Sequence, residues 1–397
     1  MHHPDIVRFP QIEEVPESVW HDLRESSSLF TGRDWSLTLR RSNPDVPVEF
    51  WAARDSTGWL LGVPVHVYPQ APGRSTYDVW SLHRDDVVPA PGSEHRARRH
   101  VLIGTRNGQR NGFLRSVRPQ DPALAGRLVQ AIADEHRTSV VGMLYLDHAL
   151  LAEVRGQLAD RLADRHEGWH AGFIDAAAEL RVPADATDLD AFLDTVPDNH
   201  RRRRIRAELR SIAAEEPAER IDSVGEIEEL APVLAPLLVK VNQRHGQPSD
   251  EASMASYIRA GANSGLQPQL FLTGTRTEPR AFSLSVQDDR LMSVRVGGHD
   301  ADRLGNRALD YPRVVFYEPL AYAMRAGLKA IDLGVGALYT KMLRGAHTVP
   351  LYSLVRIPDD LPATVTTDGD RTRLAGLRAG NPKLSEETLL GWAVDHG

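Results

Sequence analysis

Two stretches of the sequence share one order of elements, and this repetition is the feature that most constrains the fold. The first, VEFWAARDSTGWLLGVPVHVY at 48–68, gives two alternating apolar segments around a polar turn at 55–58. The second, QPQLFLTGTRTEPRAFSLSVQDDRLMSVRVGG at 267–298, gives strand, turn, strand, turn and strand. A helical segment and then a short apolar strand follow each stretch. The identity between the copies is low, so it is their shared order that predicts two α/β domains of like topology.

The elements after each stretch strengthen the repeat. In the first copy PALAGRLVQAIADEHR precedes VVGMLYLD, and in the second YPRVVFYEPLAYAMRAG precedes LKAIDLGVG. The second helical segment has an apolar face that contains Phe316, Leu320 and Met324, and Gly327 suits the end of a helix. The pattern therefore predicts a helix that ends at Gly327 and a strand that follows it.

The length of the chain sets the domain count. A chain of 397 residues is too long for one ordinary hydrophobic core. We therefore predict an N-terminal domain over residues 1–187, a C-terminal domain over 188–365 and a tail over 366–397. The tail is rich in Asp, Thr, Arg and Gly, which indicates a surface segment.

The composition excludes several classes of protein. Cysteine is absent, which excludes disulfides, thiolate metal sites and a cysteine nucleophile. No apolar run reaches the length of about eighteen residues typical of a membrane span, and the start MHHPDIVRFPQ is unlike a signal peptide. We expect a cytoplasmic protein without membrane contact. The formal net charge is -7, so a polyanionic partner must meet a local basic patch.

Such a patch is present in DNHRRRRIRAELR at 198–210, where six arginines fall within ten residues. On a helical wheel the inward face carries Ile205, Leu209 and Ile212. Another face carries a cation at every fourth residue, at Arg202, Arg206 and Arg210, with Arg203 nearby. Like charges at this spacing repel by about a few tenths of a kcal/mol per pair. The stretch is either an exposed helix paired with acids elsewhere or, as we favour, an interdomain helix that binds phosphates.

Two other motifs are weaker evidence of function. HEGWH at 166–170 matches the zinc-protease pattern H-E-x-x-H, but the following AGFIDAAAELRV is typical of an extended segment. We expect no metal site there. RNGQRNG at 106–112 resembles a pyrophosphate-binding loop, yet Asn-Gly pairs indicate turns first. The sequence contains no P-loop, dinucleotide fingerprint or nucleophile elbow.

The loop GVGALYTKMLRG at 334–345 is more informative. It follows the strand AIDLG and carries Lys341 and Arg344 close to where open α/β sheets bind ligands. A lysine there can polarise a carbonyl or stabilise a developing oxyanion. It can equally be a solvent-exposed lysine on an ordinary loop, and the spacing leaves both readings open.

The segment FYEPLAYAMRAGLKAIDLGVGALYTKMLRGAHTVPLYSL is similar to the carboxy-terminal signature of FemAB-like proteins in the GNAT acyltransferase superfamily, including the peptidoglycan-biosynthesis-like group. AFLDTVPDNHRRRRIRAELR resembles the arginine-rich midpoint of the same families. The resemblance covers most of residues 48–357. It implies an α/β fold of tandem GNAT-like (acyl-CoA N-acyltransferase) domains, with mixed sheets flanked by helices and an acyl-transfer site between them.

The resemblance also implies roles for single residues. GNAT enzymes act by direct attack of an acceptor amine on an activated acyl donor, without a covalent intermediate. Lys341 falls on the family's loop lysine, which contacts the donor carbonyl. Asp332 either orients the acceptor amine or holds the turn, and Tyr339 is a further catalytic candidate. Tyr317 and Arg295 are assigned to the substrate pocket, with core packing as the alternative for Tyr317.

The donor is the main open question. FemAB-type enzymes use aminoacyl-tRNA, whereas ordinary GNATs use acyl-CoA and carry a Q/R-x-x-G-x-G/A turn that RLGN at 303–306 matches poorly. The arginine helix suits a tRNA acceptor stem, because phosphate contacts are salt-sensitive and indifferent to base sequence. We therefore predict that the donor phosphates are bound by Arg202, Arg203, Arg206, Arg210 and Arg344.

These observations together predict an acyltransferase. It would move an aminoacyl group from aminoacyl-tRNA to the amine or hydroxylamine of a small-molecule or peptide acceptor in a biosynthetic pathway. An acyl-CoA-dependent N-acetyltransferase is the alternative, and a non-catalytic GNAT-like binding protein is a distant one. We expect no permanently bound cofactor and no metal, with tRNA or CoA as a transient partner.

Overall fold

The computed structural model describes residues 4–382 except for a set of short gaps. The gaps are 27, 74–75, 84–86, 90–93, 107, 109, 119–120, 164–168, 185, 187, 197, 245, 247–248, 301–308, 362 and 366–368.

Strands and helices are interspersed along the described chain, with runs of two or three elements of one kind. The strands are β1 (Asp5–Phe9), β2 (Glu25–Ser26), β3 (Val48–Asp55), β4 (Gly58–Tyr68), β5 (Val87–Pro89), β6 (His100–Ile103), β7 (Leu114–Arg115), β8 (Val140–Leu146), β9 (Trp169–Arg181), β10 (Glu219–Ile221), β11 (Gln267–Gly274), β12 (Pro279–Gln287), β13 (Leu291–His299), β14 (Ala330–Val335), β15 (His347–Arg356) and β16 (Ala363–Val365). The helices are α1 (Glu17–Asp22), α2 (Arg33–Ser42), α3 (Val79–Leu82), α4 (Leu124–Glu135), α5 (His148–Ala163), α6 (Leu189–Thr195), α7 (Asn199–Ala213), α8 (Val224–Arg244), α9 (Glu251–Ala262), α10 (Asp310–Pro312, a π-helical turn Arg313–Tyr317, and Glu318–Ala326), α11 (Leu338–Met342) and α12 (Gly369–Gly380).

Both sequence repeats form the predicted elements. In the first, β3 and β4 are antiparallel around the turn that ends at Gly58. In the second, β11, β12 and β13 form an antiparallel meander. The helix of the second copy, α10, ends at Gly327, whose φ of 71° closes the helix through hydrogen bonds to Ala323 and Met324.

The chain divides into two compact units at positions that differ from the predicted boundaries. Unit 1 comprises residues 1–176 and 349–397, and unit 2 comprises residues 177–348. The last segment belongs to unit 1 because the second half of β15 pairs antiparallel with β8. The sequence shows the order of the strands but not this return of the chain.

Unit 1 is built on a mixed sheet in the order β1-β3-β4-β6-β8-β15-β9, with β2 and β7 at one side. The β6–β8 pair is parallel and the β4–β6 pair antiparallel. Helices α4 and α5 cover one face, where Leu128, Ile132 and Val154 are buried. Helix α12 also contributes to this core through Leu374 and Leu377, so this part of the predicted surface tail is packed.

Unit 2 is built on a sheet in the order β9-β14-β13-β12-β11-β10. Its pairs are antiparallel except for β13–β14, which is parallel. Helices α8 and α9 pack on one face around Leu234, Ile258 and Phe282. Pro232 and Pro236 both lie inside α8, although proline is disfavoured at such positions.

Candidate functional site

The predicted arginine helix is α7 of unit 2. It begins after Asp198, whose carboxylate accepts hydrogen bonds from the backbone N–H groups of His200 and Arg201 at 2.7 and 3.4 Å. This is the N-cap geometry that starts a helix, and it lowers the pKa of Asp198. Ile205 and Ile212 are buried, as the wheel predicts. The arginines are thereby turned away from the interior.

A groove of about 810 Å³ runs along α7 within unit 2. It is lined by Asp188, Leu189, Asp190, Arg203, Arg206, Leu209, Arg210, Ala213, Ala321, Met324 and Arg325. The apolar lining residues come from α6, α7 and α10 and form the floor of the groove. The charged lining residues lie around this floor. Leu209 of the predicted inward stripe belongs to this floor and is half-buried.

The charges of the groove are predominantly positive. Four arginines face two aspartates, and one of these, Asp188, accepts a hydrogen bond from the backbone N–H of Ala191 at 2.9 Å as the cap of α6. Arg206 lies 4.0 Å from Asp194, and Arg210 donates to the carbonyl of Arg206 at 3.3 Å. Both contacts are long, so these guanidinium groups are weakly held and can turn to an anion.

The other two cations predicted to bind phosphate have different neighbours. Arg202 does not line the groove; it donates to the carbonyl of Val196 at 2.9 Å and to the side chain of Asn199. Arg344 is buried, with 6% of its side chain exposed, and donates from Nε and Nη2 to Glu208 at 3.2 and 3.3 Å. Both side chains therefore have internal partners in unit 2.

Glu208 is the centre of a polar cluster in which Tyr317 and Arg344 are buried. Besides Arg344, its carboxylate accepts hydrogen bonds from the Tyr317 hydroxyl at 2.5 Å and from Arg204 Nε at 3.1 Å. Burial and the adjacent carboxylate raise the pKa of Tyr317, so the phenol stays protonated and donates. Tyr317 is 3% exposed, which fits the packing alternative for this residue. The cluster ties α7 to α10 and to the segment that follows α11.

Strands β13 and β14 separate at the carboxyl end of their parallel pairing. They pair through three residues each, the last being Ser293 opposite Asp332, and β13 then continues for six residues beside β12. Asp332 accepts from the backbone N–H of Gly334 at 2.9 Å and from the Ser293 hydroxyl at 3.4 Å. It holds the turn, which is one of its two predicted roles. Arg295 lies on β13 past the point of separation.

The ammonium of Lys341 is enclosed by backbone. It is 8% exposed and donates to the carbonyls of Leu333, Gly334 and Val335 at 2.7, 2.9 and 2.9 Å. Successive carbonyls of a regular strand point to opposite sides, so three can converge only where the strand is broken. Gly334 supplies that break with a φ of 70°.

All three N–H groups of the Lys341 ammonium therefore donate hydrogen bonds to backbone carbonyls of unit 2. Lys341 is therefore not the solvent-exposed lysine that the spacing left open. Contact between its ammonium and a donor carbonyl stays a prediction, and it requires one of the three bonds to be exchanged. Tyr339, two residues earlier in α11, is half-buried.

Sequence reasoning missed two members of this site. Arg325 is exposed at the C-terminal end of α10, where a cation is favoured by the helix dipole, and it adds a fourth cation to the groove. Glu208 stands four residues after Arg204, a helical spacing visible in the sequence. Its pairing with Arg344 joins residues 136 positions apart and has no local signature.

The two weaker motifs lie in unit 1. Strand β9 begins with Trp169 and His170 of HEGWH and continues through residues 171–181, so the extended conformation predicted for AGFIDAAAELRV is confirmed over those residues. Residues 166–168 lie outside the described part of the chain. No group of His, Asp and Glu suited to a metal ion occurs among the described residues. The RLGN segment at 303–306 is likewise outside the described residues.

None of the described helices is both long enough and apolar enough for a membrane crossing.

Comparison with known proteins gives the fold. No protein-family model matches the sequence, and no curated protein matches it. Among solved structures the chain is similar to the crystal structure of FemX, with a TM-score of 0.58 and 10% identity, over 90% of this chain and 98% of that one. It is also similar to a conserved protein of unknown function from Bacteroides thetaiotaomicron, with a TM-score of 0.51 and 13% identity, over 86% and 96%.

A tandem GNAT protein from the clavulanic acid biosynthesis pathway also matches, with a TM-score of 0.45 and 11% identity, over 89% and 98% of the two chains. At these identities the likeness is one of fold. The predicted α/β architecture is confirmed as a fold similar to that of FemX.

Proposed function

We propose that the protein is an acyltransferase that takes an aminoacyl group from aminoacyl-tRNA and transfers it to the amine or hydroxylamine of a small-molecule or peptide acceptor. The observation that carries the proposal is the groove of unit 2, where Arg203, Arg206 and Arg210 project from one helix and Arg325 from another. The FemX-like fold supports it, since the resemblance in sequence that implied this fold also implied acyl transfer.

The groove suits phosphates for electrostatic reasons. Guanidinium groups offer paired N–H donors that match phosphate oxygens, and their charge is independent of pH in the physiological range. The three α7 arginines occupy positions i, i+3 and i+7, which spaces them along about two turns of one helix face. A row of this kind fits consecutive phosphates of a nucleic-acid backbone better than a single terminal phosphate.

The reaction itself needs no residue to be covalently modified. The acceptor nitrogen attacks the ester carbonyl of the aminoacyl group, a C–N bond forms, and the C–O bond to the tRNA ribose breaks. The leaving oxygen takes up a proton and the nitrogen loses one. We assign the positioning of the donor carbonyl to the loop that contains Lys341 and Tyr339. To Asp332, in addition to its hydrogen bond that holds the turn, we assign the orientation of the acceptor amine.

Acyl-CoA is the second candidate donor, favoured by the separation of β13 and β14. Two diverging strands present peptide groups that an extended amide-containing chain can pair with, as in β-strand addition. The pantetheine arm of CoA has this character. The groove arginines would then contact the phosphates of a single nucleotide rather than a backbone.

The test compares the two donors on the same variants. Purified protein is given charged tRNA or acyl-CoA with a panel of amine acceptors, and product is measured by mass spectrometry. Arg203→Gln, Arg206→Gln and Arg210→Gln are combined in one variant, and Arg204→Gln serves as a control on the same helix outside the groove.

With tRNA as donor, the affinity should fall steeply with salt, and the triple variant should lose about two to three in the slope of log K against log salt. Ribonuclease should abolish product. Activity that persists with acyl-CoA alone would replace tRNA by CoA as the donor. Failure of the triple variant to alter either donor's affinity would remove the groove from the proposal.

A further inference from the structure

One face of the unit 1 sheet carries buried polar side chains where an apolar layer would be expected. In the β4–β6 pair, Tyr68 lies opposite His100 and His66 lies opposite Leu102, so both histidines and Tyr68 share a face. His66 and His100 are each 0% exposed, and Tyr68 is 5% exposed. Side chains of the opposite face, such as Val65 and Val101, belong to the hydrophobic core.

The two histidines are incompletely satisfied. Neither ring nitrogen of His66 makes a hydrogen bond of normal geometry with the described residues, and the same holds for Nε2 of His100. Burial, reinforced by the charge of Arg106, lowers the pKa of His66 to about 3, so the ring is neutral at physiological pH. Buried polar atoms without partners are rare in folded proteins and often mark a place for water or ligand.

A cavity of about 290 Å³ opens next to this face. It is lined by Asn43, Asp45, Val46, Tyr68, Pro69, Gln70, Ala71, Pro72, Tyr77 and Arg106. The inner wall consists of buried Tyr68, Tyr77 and Arg106, whereas Asp45 and Gln70 stand exposed at the rim. The guanidinium of Arg106 lies 5.3 Å from the centre of the Tyr68 ring and donates to Asn43 at 2.9 Å.

The backbone behind the cavity is strained. Tyr145 has a φ of 60°, a left-handed conformation that is unfavourable for a residue other than glycine. Its hydroxyl donates to the carbonyl of Thr76 at 2.6 Å, and its ring meets Tyr77 edge-on at 6.1 Å. The strained residue thus fixes one wall of the cavity. Strain of this kind persists where the surroundings impose it, and it clusters at ligand sites.

We propose that this cavity binds a small molecule that carries both a carboxylate and an ammonium group, as a free amino acid does. The carboxylate faces Arg106 at the inner wall, the ammonium faces Asp45 at the rim, and the side chain lies against Tyr68 and Tyr77. A fixed cation inside and an anion outside match the two charges of such a zwitterion, with aromatic walls between them.

The size and the charges of the cavity argue against a nucleotide or a polyphosphate as its ligand. Its volume lies at the lower limit of the roughly 300–1,000 Å³ of small-ligand pockets, too small for a nucleotide. One lining arginine beside an aspartate also gives no net positive charge for a polyphosphate. Use of the bound amino acid as the acyl acceptor rests on the proposed function, whereas the binding does not.

The test is calorimetric titration of the full chain with each common amino acid, without tRNA or CoA. At least one amino acid should bind, and its N-acetyl and amide derivatives should bind more weakly because each lacks one charge. Asp45→Asn should weaken binding by up to about fivefold, the usual limit for an exposed charge pair. Asp289→Asn, an exposed aspartate of the β12–β13 turn in unit 2, should leave the affinity unchanged.

Two further variants address the inner part of the cavity. Ala71→Trp fills it from a half-buried position and should abolish binding, while its backbone hydrogen bond to Arg96 is kept. Arg106→Lys keeps the charge but loses the paired donors, and should weaken binding by about tenfold. Circular dichroism verifies that each variant is folded.

The proposal is overturned if no amino acid binds at millimolar concentration, if both capped derivatives bind as well as the parent, or if folded Ala71→Trp binds like the wild type. Binding without acyl transfer to the bound amino acid would leave the cavity intact and count against its role as acceptor site. Transfer to an acceptor that the titration does not detect would support the proposed function and reject this cavity as the acceptor site.

Discussion

Lys341 allows a test that separates a structural role from a catalytic one. Its ammonium donates to the carbonyls of Leu333, Gly334 and Val335, all within 2.9 Å, and is 8% exposed. In Lys341→Met an apolar chain of similar length replaces it. The carbonyls then face an apolar group in a place that water reaches poorly.

The expected loss follows from these contacts. A hydrogen bond to a charged group contributes about 1.5–3 kcal/mol, and a buried acceptor left without a partner costs about 1–3 kcal/mol. Three such bonds are offset in part by the removal of a buried charge and by relaxation of the loop. We therefore expect Lys341→Met to lower the free energy of unfolding by about 3–5 kcal/mol, in line with the removal of one partner from a buried pair.

Urea unfolding followed by far-ultraviolet circular dichroism measures this loss, and hydrogen exchange of the peptide 330–345 localises it. Lys329→Met is the matched control, because this lysine of the same unit is exposed. Lys341→Arg should be destabilised as well, since a planar guanidinium does not direct three protons to one point as an ammonium does.

The reasoning is refuted if Lys341→Met unfolds within about 1 kcal/mol of the wild type and its 330–345 amides stay protected. Lost acyl transfer with unchanged stability would instead favour direct contact between the ammonium and the donor carbonyl.

Two further perturbations test carboxylates that form ion pairs with arginines. Glu208→Gln should leave Arg344 without its counter-ion and lower the free energy of unfolding by about 2–4 kcal/mol in a urea titration, whereas an unchanged midpoint would contradict the role given to this cluster. In unit 1, burial disfavours the ionised form of Glu49, but hydrogen bonds from His136, Arg8 and Trp51 outweigh it and lower its pKa to about 2 from an unfolded value of 4.5. The ionised Glu49 therefore contributes about 3 kcal/mol to the free energy of unfolding above pH 4.5, and this contribution is lost as the pH falls towards 2. In Glu49→Gln the free energy of unfolding should depend less on pH below 4.5. Unfolding measured from pH 7 to 3 checks this.

Local patterns predicted the elements well because their causes are local. The largely apolar segments of β3, β4, β11 and β12 reflect strands that are buried along most of their length. Gly327 ended α10 because its backbone adopts the left-handed conformation with little strain. The similarity in fold to FemX was implied by a sequence resemblance over much of the chain. These features need no knowledge of what packs against them.

The site was predictable only in part, because the partner of each side chain is set by contacts between residues that are distant in sequence. The wheel of α7 gave the row of arginines, but it could not show that Arg344 is paired with Glu208 or that Arg325 completes the groove. The sequence identified Lys341 as a candidate site residue but not its three carbonyl partners. Those carbonyls converge only because the left-handed backbone of Gly334 breaks β14. The unit 1 cavity depends on the registry of β4 against β6, which the sequence does not display.

Apart from Arg202, which bonds to the Val196 carbonyl and to Asn199, the arginines of α7 divide into two sets, and this division bears on the function of the helix. Arg204 contacts Glu208 at 3.1 Å and Arg201 contacts Asp198 at 3.5 Å, so these cations have close acidic partners. The groove arginines have only weak ones: Arg206 lies 4.0 Å from Asp194, Arg210 reaches a carbonyl, and Arg203 makes no ion pair within the described residues. Like charges on one helix face repel by about a few tenths of a kcal/mol per pair, and among the described residues the ion pair that offsets this for the groove arginines is the long contact of Arg206 with Asp194.

A bound polyanion would remove that repulsion, so binding and stability must be linked. A ligand that binds only the folded chain raises the free energy of unfolding by about 2.7 kcal/mol at a concentration of a hundred times its Kd. Deacylated tRNA or CoA, whichever is the donor, should therefore raise the melting temperature of the wild type. It should do so for Arg204→Gln but not for the variant with Arg203, Arg206 and Arg210 all changed to glutamine. An equal rise in that triple variant would show that the polyanion binds elsewhere and that the repulsion on α7 has another compensation.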